Sequence, residues 1–388
     1  MGKKDNDSIR DDYEKLILTV TKHIMLFGSY LSPSLTKESW GFKWCNPAGN
    51  MKEVYPNIFL VKVKGAFGAF KPEVNIYVLA GPDGLMYDAG YGTRKSVKCI
   101  VGEIKIIKEL YAKRGMECRI TRIMPSHAHP DHFSGLKSLR RITGARIVLT
   151  RRMADIIKSR KDYIDRHHHD SRGDLFHVKN IAGRIIDKFT RRLLWIFFAL
   201  TYGIAFISDP DEIIDETSEI SINGETWRIF PSPGHSSDHI ALYNPEKGIL
   251  FSGDTVLRSK TPWLGPPDSN LVDYIKSLEY IASIENLKII FSAHGSPVEN
   301  PRERARAITE ARRSRTRQVH ELIRKSGEKG LTIEETIGML YRKGGRMKRE
   351  MARGWVSLTI KQLESRKLIR RIEKGKGIFF VSVNETLL

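Results

Sequence analysis

Three histidines and one aspartate are concentrated in the six-residue stretch His127-Ala128-His129-Pro130-Asp131-His132. It follows an apolar run at residues 120–124 and precedes residues 133–139, whose apolar positions have helical spacing. A turn between a strand and a helix is a common place for ligands on a rigid scaffold. Imidazole and carboxylate groups are usual zinc donors, so the stretch predicts a metal site. A polar helix start, with Pro130 and Asp131 in its first turn, would explain only two of the six residues.

Four more polar residues stand where predicted strands end, each close to a glycine: Asp88, His235, Asp254 and His294. A lone histidine or aspartate in a loop is more often a capping or surface residue. Four of them at strand ends could converge on one edge of a sheet core. Together with the six-residue stretch they predict a single metal site assembled from several loops.

Short strands alternate with helices after an early hairpin, which indicates a layered α/β domain. An amphipathic helix at residues 9–27 and an irregular connector at 28–53 precede it. The sequence predicts helices at 94–113, 131–143 and 270–284. It predicts strands at 58–63, 74–80, 85–90, 119–124, 146–149, 220–222, 226–230, 240–243, 248–251 and 287–291.

The C-terminal part begins with an Arg-rich helix at residues 302–325. Thr332 and Glu335 have the spacing of a capping box, and a second helix is predicted at 348–365. Strands with basic residues between them at 368–383 then predict a hairpin. Helices followed by such a hairpin suggest a winged helix-turn-helix. The expected domains are therefore an N-terminal helical extension at 1–50, a main domain at 51–300 and a basic helix with a winged-helix domain at 301–388.

The ordered set of His-x-His-x-Asp-His, Gly-His, Gly-Asp and Ala-His-Gly resembles the metallo-β-lactamase superfamily over roughly residues 55–300. The resemblance implies an α/β fold, a four-layer αβ/βα sandwich, with a dinuclear zinc site at the sheet edges. It implies that one zinc ion is bound by His127, His129 and His235. The second is bound by Asp131, His132 and His294, with Asp254 bridging the two and Asp88 supporting the ligands. Histidine rather than glutamate at position 129 favours two Zn ions over the di-iron branch of the superfamily.

Together with the predicted winged helix, the chain resembles the lactamase-β-like branch, which is related to glyoxalase II. Members of that branch include thioester hydrolases and a nuclease that acts on single-stranded RNA. The expected activity is hydrolysis by a metal-bridging hydroxide, with Asp131 as the catalytic residue that orients it and carries its proton. This chemistry serves esters, thioesters, lactones, amides and phosphodiesters, so the metal site alone does not select the substrate.

Residues 151–207 are expected to be an insertion between the metal-binding motifs. It contains two basic amphipathic segments and the apolar run 193–207. Fifteen residues are short of the ~20 that span a bilayer, so the run predicts a buried helix or an apolar lid, with peripheral membrane contact as the alternative. An apolar lid beside the metals favours a small-molecule acyl substrate, an ester or thioester with an apolar acyl part.

The formal net charge is +20, and residues 301–388 contain 23 Lys and Arg against 10 Glu and no Asp, a net charge of +13. Such a surface suits nucleic acid, but it can also be a solvated basic surface. A phosphodiesterase acting on single-stranded RNA or DNA is therefore the alternative function. A non-catalytic DNA-binding protein is the least favoured, because it leaves seven ligand positions unexplained.

Three scattered cysteines, Cys45, Cys99 and Cys118, contain no Cys-x-x-Cys pair. A disulfide framework is not expected, and a cytoplasmic location suits the chain. The triplet His167-His168-His169 is predicted to lie on the surface or in the lid, because consecutive histidines cannot share one helix face. The sequence does not indicate an oligomeric state.

Overall fold

The computed structural model describes residues 51–65, 72–168, 195–342, 345–375 and 377–383. All of them except 195–197 belong to one compact unit, which comprises Pro47–Val178 and Phe198–Leu388. The helix predicted at residues 9–27 and nearly all of the connector predicted at 28–53 lie outside the described residues, as does much of the insertion.

The first sheet has seven strands in sequential order: β1 (Met51–Tyr55), β2 (Ile58–Val63), β3 (Val74–Leu79), β4 (Gly84–Tyr87), β5 (Ile120–Met124), β6 (Arg146–Thr150) and β7 (Glu212–Ile214). Strands β1 to β4 are antiparallel, and β4 to β7 are parallel. Every residue of β3 and β4 is buried, as expected for strands that are covered on both faces.

The second sheet has five strands: β8 (Ser218–Ile222), β9 (Glu225–Pro231), β10 (Ile240–Asn244), β11 (Ile249–Gly253) and β12 (Ile289–Ser292). They are in the order β12-β11-β10-β9-β8, and only the β11–β12 pair is parallel. The rings of Tyr77, Phe251 and Phe291 meet between the two sheets, with centroids 5.0 to 5.5 Å apart. These aromatic contacts join the inner faces of the sheets into one core.

The described helices that precede residue 300 are α1 (Arg94–Lys113), α2 (Pro130–Phe133), α3 (Leu136–Thr143), α4 (Arg151–Ile157), α5 (Arg160–His168), α6 (residues 195–202) and α7 (Leu271–Ser283). Helices α1 and α3 lie on the first sheet, and α7 packs on the second through Tyr274 and Leu278. The protein is therefore a four-layer αβ/βα sandwich, as the sequence predicted. The helix predicted at 131–143 is divided into α2 and α3, because the chain bends so that Gly135 N donates to Gly90 O.

The C-terminal part contains α8 (Pro301–Lys325), a 3₁₀ turn (Gly327–Lys329), α9 (Ile333–Leu340), α10 (Arg346–Ser365) and a hairpin of β13 (Ile369–Lys374) and β14 (Gly377–Ser382). The predicted capping box of Thr332 and Glu335 is present at the start of α9. Val319, Val356 and Phe380 belong to the shared core of these elements. Helices followed by a two-stranded hairpin are compatible with the predicted winged helix.

The strands and the cysteines differ in part from what the sequence predicted. Strands β1 and β7 were not predicted. Cys118 is free and Cys99 is disulfide-bonded, a bond that the sequence did not predict. The cytoplasmic location, which rested on the cysteines, stays a prediction.

Within the part of the chain that the structure describes, no helix has the length and apolar character needed to cross a membrane.

Asn75 joins the first sheet to the loop that follows β12. Its side-chain amide donates to Ser292 O at 2.9 Å and to Gly295 O at 2.8 Å, and all of these contacts lie around His294. We expect Asn75→Ala to lower the free energy of unfolding by about 1–3 kcal/mol, because it removes two hydrogen bonds of a buried side chain and leaves Ser292 O with the Tyr77 hydroxyl as its side-chain donor. Urea denaturation measures this loss.

The matched control is Asn286→Ala, which removes an amide that donates to Pro245 O at an exposed position. Its expected cost is at most about 0.5 kcal/mol. Equal losses for the two variants would contradict the role of Asn75 as a buried link between the sheets.

Candidate metal centre

The predicted ligands occupy four loops at one edge of the sandwich. The stretch 127–132 follows β5, and His129 is the N-cap residue of α2 with an extended backbone (φ −79°, ψ 148°). His235 follows β9, Asp254 follows β11 and His294 follows β12. Both sheets therefore contribute side chains to the same site, as the strand-end positions predicted.

All seven predicted ligand residues come together in three overlapping groups. Within each group, one candidate ligand atom from every residue lies within 4.8 Å of the others. The groups are His127, His129 and His235; His127, His132 and Asp254; and Asp131, His132 and His294. The first and the last group share no residue.

Asp254 lies between the two separate groups. Its Oδ2 is 3.4 Å from His235 Nε2, and its Oδ1 is 3.4 Å from His294 Nε2. One carboxylate thus faces a histidine of each group with a different oxygen.

Protein acceptors fix the orientation of three imidazole rings. His235 Nδ1 donates to Trp263 O at 2.8 Å, and His294 Nδ1 donates to Glu73 O at 2.7 Å. A carbonyl can only accept, so Nδ1 carries a proton in both rings and Nε2 of each ring faces the cluster. His132 Nδ1 is 3.1 Å from Asp88 Oδ2 in the same way.

Asp88 also holds the loop that carries the first histidine. Its Oδ1 accepts from Ser126 N at 2.7 Å, and its backbone has a positive φ of 68°. A residue other than glycine rarely adopts this conformation, and such residues concentrate at functional sites. Asp88 therefore contacts both the backbone before His127 and the ring of His132.

The donor set fits divalent cations. Within the described residues, three buried atoms of the cluster have no hydrogen-bond partner: His127 Nε2, His132 Nε2 and Asp254 Oδ1. Buried polar atoms without partners are rare in folded proteins, and each one is costly. A nitrogen-rich set with carboxylates is what zinc prefers. Cations bound among these residues would satisfy all three atoms.

The pKa values of the cluster residues also agree with cation binding. Burial lowers the pKa of His127 well below its usual value, and the neighbouring imidazoles lower it further, so this ring is neutral. Burial would raise the pKa of Asp131, but His132 and His294 outweigh it and lower the pKa to about 2. Burial would lower the pKa of His132, but Asp88 and Asp131 raise it to about 9. Protonated histidines thus neutralise the carboxylates, and cation binding would release those protons.

Helix α7 supports two of the ligand loops. Gly234 has a φ of +124°, and a Cβ there would lie 2.2 Å from Tyr274 Cα, so only glycine allows the His235 turn to approach the helix so closely. The hydroxyl of Tyr274 donates to Thr255 O at 2.8 Å, beside Asp254. Packing against one helix therefore fixes the turns of both ligands.

His239 and Ser236, which the sequence suggested as substrate contacts or as satisfied loop residues, are buried. His239 Nε2 accepts from Asp254 N at 3.0 Å, and its Nδ1 is 2.8 Å from Ser232 Oγ. His239 thus holds the Asp254 turn through the backbone, which is the second of the two suggested roles.

Sequence reasoning missed a buried pair of carboxyl groups beside the cluster. The hydroxyl of Ser236 is hydrogen-bonded to Asp238 and lies 2.6 Å from Asp268 Oδ2. Asp238 Oδ2 also accepts from Ala128 N at 2.7 Å, between the first two histidines of the cluster. Burial, followed by the charge of Asp268, raises the pKa of Asp238 to about 7. Asp268 is also paired with Arg166 at 3.3 Å, so Asp238 is the carboxyl group of the two that favours the protonated form.

The described part of the insertion lies beside the cluster. Phe206 packs on Phe133, which directly follows His132, and on Tyr163 of α5. The backbone oxygen of Tyr202 accepts from Gly92 N at 2.9 Å. His169 lies outside the described residues.

The chain belongs to the metallo-β-lactamase superfamily, whose family model matches residues 71–294, more than half of the chain. A solved β-lactamase domain protein from Burkholderia ambifaria has the same fold, with a TM-score of 0.66 and 17% identity. That alignment covers 86% of this chain and 93% of the other.

Three curated relatives match parts of the chain. A beta-lactamase-like protein 2 homolog of Caenorhabditis elegans is 28% identical over 39% of this chain and 48% of its own. An atrochrysone carboxyl ACP thioesterase of Aspergillus fumigatus is 32% identical over 29% of this chain and 34% of its own. A hydroxyacylglutathione hydrolase of Chromohalobacter salexigens is 27% identical over 36% of this chain and 49% of its own. The chain thus spans about half or less of the length of these relatives.

The buried carboxyl group of Asp238 predicts a pH dependence of stability. Its folded-state pKa of about 7 lies above the ordinary value of 3.8, so the folded protein retains a proton that the unfolded chain loses near pH 4. The stability contributed by this proton is full at acid pH and is lost as the pH rises from 4 to about 7. We expect Asp238→Asn to remove this dependence, because the amide provides the donor at every pH.

Urea denaturation at a series of pH values tests this. The free energy of unfolding of the wild type, relative to that of the Asp238→Asn variant, should fall between pH 4 and about 7. The control is Asp155→Asn, at an exposed position of α4, whose curve should run parallel to that of the wild type. A parallel curve for Asp238→Asn would show that Asp238 is ionised throughout.

Proposed function

We propose that this protein is a dinuclear zinc-dependent hydrolase whose substrate is a thioester or ester with an apolar acyl part. The observation that carries the proposal is the position of Asp254 between two separate three-residue groups. A single structural ion would need only one such group. Membership of the superfamily supports hydrolysis as the reaction class.

In this proposal His127, His129 and His235 hold one zinc ion. Asp131, His132 and His294 hold the other, and Asp254 contacts both. Residues 51–300 form the hydrolase domain with the insertion at 151–207, and residues 301–388 form the C-terminal domain. The orphaned nitrogens of His127 and His132 and the carbonyl-oriented rings support this ligand assignment.

When bound, zinc supplies Lewis acidity and lowers the pKa of a coordinated water to about 7. Asp131 is the chain's own candidate for proton handling, because its carboxylate is ionised and its side chain is only slightly exposed at the edge of the cluster. It would accept the proton of the attacking water and pass it to the leaving group. A thiolate is a good leaving group and needs little help from such an acid, whereas an alkoxide needs more.

The apolar surroundings of the cluster support an acyl substrate. Phe206 packs on Phe133 and Tyr163 next to His132, and of these three rings only Phe206 keeps part of its surface exposed. Trp263, whose carbonyl orients His235, leaves half of its side chain exposed. The names of two relatives, a thioesterase and a hydroxyacylglutathione hydrolase, agree with acyl transfer to water.

The C-terminal charges give less support to a nucleic-acid substrate than the sequence suggested. Some of the basic side chains there are engaged by carboxylates, as in the pairs Arg353–Glu334, Arg371–Glu364 and Arg317–Glu310. Such pairing reduces the positive field that phosphates would meet. We therefore propose the acyl substrate, and single-stranded RNA serves as the comparison in the test.

Metal content and activity test the proposal together. We expect the wild type to bind two zinc ions per chain and to hydrolyse S-acyl thioesters with long acyl chains. Asp254→Ala should lower kcat/KM at least a hundredfold, about the effect of losing one major electrostatic group, and reduce the bound zinc. Metal analysis and a panel of thioesters, lactones and single-stranded RNA measure both effects.

The control Asp155→Asn should keep both zinc ions and full activity, because this residue is exposed on α4. Zinc-loaded wild type that cleaves RNA but no acyl compound would overturn the substrate proposal. A wild type that binds one zinc ion or none would overturn the dinuclear assignment.

A further inference from the structure

The loop at residues 262–265 connects the candidate metal centre to the C-terminal helices. On one side, Trp263 O accepts from His235 Nδ1 at 2.8 Å. This bond places the proton of the ring on Nδ1 and directs Nε2 toward His129 Nδ1, at 3.0 Å. The position of a single backbone carbonyl therefore decides where one of the candidate ligands points.

On its other side, the loop rests on α8 and α10. Arg312 of α8 is 8% exposed, and its guanidinium donates to Pro262 O at 2.5 Å. Gly354 of α10 lies directly against the loop, because a Cβ built on it would be 2.6 Å from Leu264 O and 2.9 Å from Gly265 Cα. The carbonyl that orients His235 is thus flanked by contacts with two C-terminal helices.

Gly354 lowers the stability of the helix in which it lies. It lies inside the 20-residue helix α10, where glycine is about 1 kcal/mol less favourable than alanine. The close approach of the loop explains it, since any side chain would displace backbone rather than a flexible side chain. Gly338 of α9 provides the contrast, because an added Cβ there meets nothing within 4 Å.

We propose that the C-terminal helices are a positioning element of the metal centre, in which Gly354 and Arg312 hold the 262–265 loop so that Trp263 O fixes the ring of His235. The inference rests on the proposed zinc site and assigns the C-terminal part a role within it. Movement of the loop would release His235 Nδ1 and weaken the group of His127, His129 and His235. The group of Asp131, His132 and His294 has its own supports, Asp88 and Glu73 O, and would keep its affinity.

The test uses Gly354→Ala and Gly354→Val in the full chain, with Gly338→Ala and Gly338→Val as matched controls. Competition with a chromogenic chelator gives the dissociation constants of the two zinc ions. We expect Gly354→Val to weaken one ion about tenfold to a hundredfold, the usual effect of losing the partner of a ligating histidine, and to leave the other unchanged. The Gly338 variants should retain both wild-type constants.

A second pair of variants keeps the test independent of how well Gly354→Val folds. Arg312→Met removes the donor to Pro262 O, while Arg313→Met changes the next residue, which is exposed and paired with Glu279. We expect Arg312→Met to weaken the same zinc ion and Arg313→Met to leave it unchanged.

Histidine nitrogen NMR on the metal-free protein adds a readout that needs no zinc. The Nδ1–H signal of His235 should be present in the wild type and both control sets, and be lost or shifted in the Gly354 and Arg312 variants. Wild-type zinc constants and an unchanged His235 signal in folded Gly354→Ala and Arg312→Met would overturn the proposal. A wild type that binds no zinc would instead overturn the proposed function, while an altered His235 signal would still support positioning of the ring.

Discussion

The structure depends on placing two carboxylates and several imidazoles together in a buried cluster. Asp254 is the centre of this arrangement, with one oxygen toward His235 and the other toward His294. Buried charges are costly unless opposite charges surround them. The four loops of the cluster pack together only when cations or protonated histidines balance the negative charges of Asp131 and Asp254. The site therefore folds together with the positive charges that it needs.

Backbone groups make most of the contacts that hold the ligands and their loops in place. Carbonyl oxygens of Trp263 and Glu73 orient two ligand rings, and backbone N–H groups of Ser126 and Ala128 are held by buried aspartates. These supports come from both sheets, from α7 and from the C-terminal helices. The ligands thus sit on loops, but each loop is fixed by a rigid element behind it, which preorganises the site for cations.

The positions of the candidate metal ligands could be predicted from the sequence. The motif at 127–132 concentrates four candidate ligands in six residues, and the other three follow apolar strands beside glycines, so their convergence was predictable. Asp238 was not predicted, because it acts on Ala128, 110 residues earlier in the chain. The contact of the Trp263 carbonyl with His235 has no sequence signature, because a backbone acceptor is present whatever the residue type. Strand β7 was missed because its three residues have too little periodicity to stand out among charged neighbours.

Anomalous diffraction at the zinc edge, from crystals of the zinc-loaded protein, would locate the bound ions directly. Two peaks are expected, one among His127, His129 and His235 and one among Asp131, His132 and His294, with Asp254 in contact with both. A single peak, or two peaks with the Asp254 carboxylate in contact with neither, would contradict this expectation.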